Sequence, residues 1–323
     1  LTGGELTATA IRQINRSKAQ GILQLHGGTL TAGSANDNFV SGLDAFLIGP
    51  AGGTINTGPF DIVIGMPIRE SVGKGVAAIT VLNGGSGHVT PPMVTLQGGG
   101  GQGATAVAEV HQGEVTSIKI TNHGEGYVEP PEVKIAGGEG PLAVGTPTLS
   151  ETQDGGLIKT GSGALQLAAP CLISGPLVVA EGTLTTGPMF VGGRGNLTLE
   201  RGAGWTGSGV IEGSVTVAAG ATLAPAPDGG VTIEQDLHCS GAVELNLERV
   251  TGQFLKVQGK LTLDSARLNL TAPMRPGQSG PILIAQYGSL EGRFAAPLPL
   301  PPGWSLDYQL NGRNRIALVR TAP

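Results

Sequence analysis

Short runs that alternate apolar and polar residues recur along this chain of 323 residues. They include Leu197-Thr198-Leu199, Val215-Thr216-Val217, Val231-Thr232-Ile233, Val243-Glu244-Leu245 and Leu261-Thr262-Leu263. A period of two predicts strands with one face turned inward. Their first residues are 18, 16, 12 and 18 apart, and no 3.6-residue helical pattern lies between them. Parallel strands on such short connections leave no room for crossover helices, so the chain must coil, and the expected hand is right. The pattern predicts an all-β fold, a right-handed parallel β-helix.

A longer rhythm supports the coil. A phrase of Gly-Gly, an apolar residue two places on, then Thr and Gly or Ala appears at Gly3-Gly4-Glu5-Leu6-Thr7-Ala8-Thr9, Gly27-Gly28-Thr29-Leu30-Thr31-Ala32-Gly33 and Gly52-Gly53-Thr54-Ile55-Asn56-Thr57-Gly58. It returns at Gly155-Gly156-Leu157-Ile158-Lys159-Thr160-Gly161 and, more loosely, at Glu181-Gly182-Thr183-Leu184-Thr185-Thr186-Gly187. The starts are 24, 25, 103 and 26 residues apart. Repeats of this size are stacked units that bury their apolar faces against their neighbours.

The long interval contains a repeat of its own. Ile79 onward aligns with Ile118 onward at an offset of 39, matching Asn83 with Asn122, Gly85 with Gly124, Gly87 with Gly126, His88 with Tyr127 and Pro91-Pro92 with Pro130-Pro131. Removing two such copies from the interval of 103 leaves one ordinary coil of 25 residues. A two-copy β module is therefore expected between adjacent coils. Each copy reads strand, Asn-x-Gly-x-Gly turn, Pro-Pro, strand and Gly-rich turn, with Pro-Pro marking an edge or connection. Near the end, residues 282–285, 304–310 and 315–319 read as strands, with Asn311-Gly312 as a tight turn. Tyr287, Trp304 and Tyr308 concentrate there, as a cap over the last coil needs. The expected division is 1–71 and 151–280 for the coils, 72–150 for the module and 281–323 for an antiparallel cap.

Composition narrows the classes. Gly is 56 of 323 residues with no triplet period, charged residues are 13% and aromatics 3%, which excludes a coiled coil and a disordered polyelectrolyte. The net charge is −5. With no basic cluster or aromatic-interleaved basic stripe, nothing favours nucleic acid as a partner. No apolar run approaches the roughly 18 residues of a membrane span. The first residue is Leu1, without a charged-then-apolar leader, so the chain is expected to be processed, or its targeting segment to lie elsewhere. Cys171 and Cys239 are 68 residues apart. At about 4.8 Å per coil that separation exceeds the reach of a disulfide, and both read as small buried residues.

Residues 155–167, followed by 178–184, resemble the autotransporter-associated β-strand repeat. The stretch 52–64 resembles its upstream coil, and the Gly-x-Gly-Tyr-x-x-x-Pro unit within 118–131 is similar to an insert seen in that family. Gly207-Ser208-Gly209 through Pro225 and the terminal hairpin continue the likeness over nearly the whole chain. The resemblance implies a secreted or surface-displayed bacterial β-helix protein, often structural or adhesive; with no converging catalytic constellation in the sequence, a non-enzymatic role is expected. No C-terminal run of aromatic-girdled strands for a membrane barrel is present, so self-secretion is not expected of this chain.

Parallel β-helices also include polysaccharide lyases and hydrolases, which need carboxylates converging from neighbouring coils with a basic residue nearby. The candidates are Glu244, Glu248, Asp264 and Arg267, outward-facing between the inward Val243, Leu245, Leu247, Leu268 and Leu270; the alternative is a solvated polar face. His26, His88, His111, His123 and His238 show no metal-ligand spacing, and Asp37-Asn38 falls short of a calcium shell. No cofactor is expected. Gly98 to Gly103 reads as a turn, because no Lys-Ser/Thr and no helix follows it. His88 and Tyr127, presented twice after Gly-x-Gly, could stack on sugar rings or could plug the core of their own module. The expected partners are further copies of the chain stacked head to tail, or surface glycans.

Overall fold

The inward residues of successive strands stack into columns, and three such sets of strands wrap a single apolar core. In this computed structural model residues 1–323 are described except 15–19, 138, 153–154, 189, 193, 228, 249–252, 274–277, 279, 299 and 322–323. The fold is all-β: a parallel β-helix with three strands per coil. The first ladder runs from Glu5–Ala8 through Gly53–Asn56 and Leu157–Thr160 to Leu237–Cys239, then into the ends of Leu255–Leu263 and Ile282–Gly292. The second is a nine-stranded sheet, one strand per coil, from Ile11–Arg12 to Arg267–Ala272. The third runs from Ile22–Leu25 through Ile68–Glu70 and Cys171–Leu172 to the first halves of the same two long strands.

The alternating runs of the sequence therefore belong to different ladders. Leu197–Leu199 and Val215–Val217 are neighbours in the first ladder, Val231–Ile233 lies in the third, and Ala242–Asn246 in the second. Spacing alone mixes full coils with steps between faces. Alternation of burial is clean: Val215 and Val217 are buried around an exposed Thr216.

Leu30, Ile55, Lys159, Val179, Leu199, Val217, Cys239 and Leu263 form one inward column of the first ladder. Each buried aliphatic side chain in such a column contributes about 1.5–3 kcal/mol. The lysine is the exception. Matching the glycine phrases sets Ile158 beside Ile55, but the ladder pairs Thr54 with Ile158 and Ile55 with Lys159. A slip of one residue turns every side chain to the other face. Ile158 is thus 41% exposed and Lys159 fully buried. The second ladder restores the phrase's spacing, with Ile62 opposite Leu165.

The Lys159 ammonium finds its partners at the corner that follows. Nζ donates to Gly161 O and Gly163 O at 2.6 Å, Thr57 Oγ1 at 3.0 Å and Thr160 O at 3.2 Å. Gly182, at φ +65°, closes over it; a Cβ there would lie 2.6 Å from Nζ. Burial lowers the Lys159 pKa to about 8, opposed by the more distant charges of Glu181 and Asp61. Cys171 and Cys239 are both free and buried. Burial pushes their thiols up to about 12 and about 11, leaving them unreactive near neutral pH.

The coils continue through the insertion without a break. Gly53–Asn56 pairs directly with Leu157–Thr160, Ile62–Ile64 with Ala164–Leu167 and Ile68–Glu70 with Cys171–Leu172. Between Glu70 and Thr152 the chain builds a separate module with its own core of Val76, Ile79, Ala106, Ala108, Val115, Ile118, Ile120 and Tyr127. Its two copies are related by a pseudo-two-fold axis. Met93–Gln97 pairs antiparallel with Glu132–Ala136, and the central pair, Thr95 and Lys134, are equivalent residues of the two copies. Lys74–Ala78 against Thr148–Glu151, where the module joins the coils, corresponds to the two strands flanking the Gln112-Gly113 turn at the far end. The Asn83 and Asn122 side chains accept the amides of Gly85 and Gly124 in equivalent turns.

At the other end, Ile282–Gly292 is shared between the last coil and the cap. Ala285 pairs in parallel with Leu255, while Ile282 and Leu283 pair antiparallel with Arg315–Arg320, which pairs in turn with Trp304–Asp307. The Tyr287 hydroxyl donates to Tyr308 O at 2.5 Å, and the Tyr308 hydroxyl accepts from Phe294 N at 3.1 Å.

Lys159→Met, which removes the donor to Gly161 O in a dry corner, is expected to lower stability by about 1–3 kcal/mol at pH 7. The folded pKa of Lys159 lies below its value in the unfolded chain, so the unfolded state binds more protons between about pH 8 and 10.5. Stability of the native chain relative to the variant should rise across that window, and urea midpoints of both proteins at pH 7, 9 and 10.5 measure it.

Candidate functional site

The module leans back over the first coils and is seated on them by polar groups. Arg69, in the third-ladder strand that leads into the insertion, meets Glu125 of the second copy's Gly124-Glu125-Gly126 turn. The contact is bidentate, with Nη1 to Oε2 at 2.8 Å and Nη2 to Oε1 at 2.9 Å, and Val72 N also donates to Oε2 at 3.1 Å. The Glu125 side chain is 6% exposed and that of Arg69 36%. The hydrogen bond from Arg69 holds the Glu125 carboxyl below its ordinary range, against the opposing effect of burial. Gln24 Nε2 donates to Ser71 Oγ at 3.0 Å, and Thr2 Oγ1 to Thr121 O at 3.0 Å. Beside these contacts the rings of His26, on the coils, and His123, on the module, lie 4.0 Å apart at 44°. Thr152 closes the root of the module, donating through N and Oγ1 to Gly73 O at 3.1 and 2.7 Å.

A second concentration of polar groups lies at the corner that follows the third ladder. Glu70, Leu172, Ile173, Ser174, Arg194 and Glu212, from four successive coils, line an open groove of about 330 Å³. Glu70 Oε2 accepts from Ser174 N at 3.1 Å and from Ser174 Oγ. Arg194 and Glu212 are exposed. The groove combines a guanidinium with carboxylates from separate coils, an arrangement suited to holding a polar chain.

The residues singled out in the sequence fall elsewhere. Glu244 lies on the outer face of its strand opposite Asn269, Asp264 lies at the preceding corner with its amide bonded to Cys239 O, and Glu248 lies beyond the strand's end. Arg267 stands opposite Ala242, at the start of the strand that pairs with that of Glu244. Of the two alternatives for His88 and Tyr127, burial fits the one in which the rings plug their own module, since each residue is 5% exposed. Tyr127 fills the module core because the Gly98 to Gly103 turn wraps it; a Cβ at Gly101 would lie 2.4 Å from Tyr127 Cγ. Its hydroxyl is pushed up by burial, an effect offset by a hydrogen bond to the Ala104 backbone. His88 occupies the equivalent place at the far end, its amide donating to Gly113 O as that of Tyr127 does to Lys74 O. No group of three or more His, Cys, Asp or Glu able to hold a metal occurs among the described residues.

Arg69, Glu125, His26 and His123 carry no local signal. The two histidines are far apart in sequence, and Glu125 stands where the first copy has Ser86. That mismatch, like His123 against Gly84 of the first copy, is a sign that the two ends of the module meet different surroundings. Searches against protein-family models and against characterised proteins find no match to this chain.

Removing one partner of the Arg69–Glu125 pair strands the other at the seat. Arg69→Ala is expected to weaken the seating by about 1–3 kcal/mol, less than for a fully buried pair because Arg69 reaches solvent. Faster proteolysis at residues 70–76 with unchanged protection of the coils is the expected readout.

Proposed function

We propose that this chain is a non-enzymatic structural or adhesive scaffold, secreted or displayed on a bacterial surface, whose β-helix holds the duplicated module out for contact. The uninterrupted register on either side of the insertion carries this reading, since the ladders of the coils pair across it without the module. The resemblance to autotransporter-associated repeats points the same way. Surface glycans are the proposed partner, met by exposed loops of the module rather than by the buried His88 and Tyr127 rings.

Head-to-tail stacking of copies is a weaker form of the proposal. The cap strand Arg315–Arg320 runs antiparallel along the third ladder, so a second copy would have to continue from the remaining edges of the last coil. A polysaccharide-active protein is the second reading, favoured by the groove between Glu70, Arg194 and Glu212. There Glu70 is already committed as an acceptor to Ser174.

Replacing residues 74–151 with a short Gly-Ser turn tests the proposal. The shortened chain should keep its β-sheet circular dichroism and cooperative unfolding while losing adhesion to cells and glycan-coated surfaces. Adhesion equal to that of the full chain would place the contact on the coils. Release of unsaturated or reducing ends from polysaccharides, abolished by Glu212→Gln, would make the chain an enzyme.

A further inference from the structure

The seat of the module contains a titratable pair on which a second proton would find no acceptor, although the Val76 carbonyl bonded to His123 partly favours its charged form. His123 Nδ1 lies 2.7 Å from Val76 O, so this nitrogen donates and its proton is fixed there. The other nitrogen, Nε2, is buried and has no partner. On the facing ring, His26 Nδ1 lies 3.4 Å from the amide of Ala51 and accepts from it. A second proton on His123 must go to the unpartnered Nε2. A second proton on His26 must go to Nδ1, where it faces the Ala51 N–H and removes that hydrogen bond. With the rings 4.0 Å apart, protonating both also sets like charges against each other.

The groups around the pair do not offset this cost. Leu1 N donates to Gln24 O at 2.5 Å. Glu125, two residues from His123, is engaged by Arg69 and Val72 N. Lys74 and Glu151, at the module's root, pair with each other at 3.9 Å.

We infer that His26 and His123 form an acid-sensitive latch: neutral imidazoles keep the module seated on the first coils, and their protonation in mild acid releases it. The coils would survive this release, because no ladder bond of the β-helix passes through the module. The released module would stay tethered by the strands at its root and expose the faces now covered by His26 and Arg69.

Burial, then the neighbouring His123, lower the His26 pKa from 6.5 to about 4, and burial lowers that of His123. The seated state therefore binds fewer protons than the released one. Its stability is full above about pH 6.5 and is lost as the pH falls toward 4. For His26 alone, linkage gives a weakening on the order of a hundredfold at pH 4.5. The hydrogen bond from Arg69 holds Glu125 below its ordinary range, so this pair also loses some of its hold in acid, and the histidine variants separate the two contributions.

Amide hydrogen exchange on the full chain tests the latch, with peptides spanning residues 22–28, 69–76 and 121–127 followed at pH 7.5 and 4.5 and corrected for intrinsic rates. Exchange in these peptides should accelerate strongly at pH 4.5, while peptides from residues 197–217 stay protected. In His26→Gln/His123→Gln, whose amides can replace both neutral-ring hydrogen bonds, the acceleration should be lost, and each single variant should lose part of it. Glu125→Gln, released at both pH values, calibrates the signal. Unchanged protection of the native chain at pH 4.5 would overturn the inference, as would full acid acceleration in the double variant. If the double variant is released at pH 7.5, the single variants decide: an acid response as large as the native one in both overturns the latch.

Discussion

Every coil must place its inward side chains on top of those of the coil below, because the parallel ladders fix both spacing and register. Whatever occupies one inward position is boxed in by its counterparts above and below. The column from Leu30 to Leu263 shows both sides of this constraint. Aliphatic residues fill it with no polar atom to satisfy. Lys159 fits only because the corner after its strand turns two glycine carbonyls and a threonine hydroxyl toward the ammonium. The buried cation is tolerated there because backbone dipoles take over the work of water, with the charges of Glu181 and Asp61 adding to them.

The insertion obeys the same constraint by staying out of it. Chain leaves the third ladder at Glu70 and returns to the first near Leu157, so the coils on either side pair as if nothing intervened. The module satisfies its own strands through an internal pseudo-two-fold, leaving only one end to face the coils. That end acquired what its twin lacks. Glu125 stands at the place of Ser86, and His123 at that of Gly84. A duplicated sequence thus became asymmetric where its two copies met different surroundings.

The architecture was legible in the sequence because it rests on local signals: period-two alternation, recurring glycines at corners and an offset of 39 between the module's copies. The number of ladders was not, since strands of different faces look alike when only spacing is available. Lys159 was hidden by one residue of slip, which the glycine phrase cannot reveal because a turn one residue shorter restores it within the same coil. The seat was hidden for a different reason. Arg69 with Glu125, and His26 with His123, are brought together by the module folding back on the coils, and no periodicity encodes that contact. The duplication makes His88 and Tyr127 legible as paired positions, yet the burial of Tyr127 depends on the Gly98 to Gly103 turn closing around its ring.

The pseudo-two-fold of the module also bears on the order of folding. Strands of each copy pair with strands of the other, so neither copy can complete its sheets alone. Until both halves have met, the third and fourth coils are joined by a long, loose tether, and bringing them into register carries the full loop-closure entropy of that tether. Once the halves pair, Lys74–Ala78 and Thr148–Glu151 lie side by side, and the tether shrinks to a few residues. The entropy difference amounts to about 2–3 kcal/mol at the step where two growing stacks must join. Pairing of the module's two halves thus shortens the span that the junction between the third and fourth coils has to close.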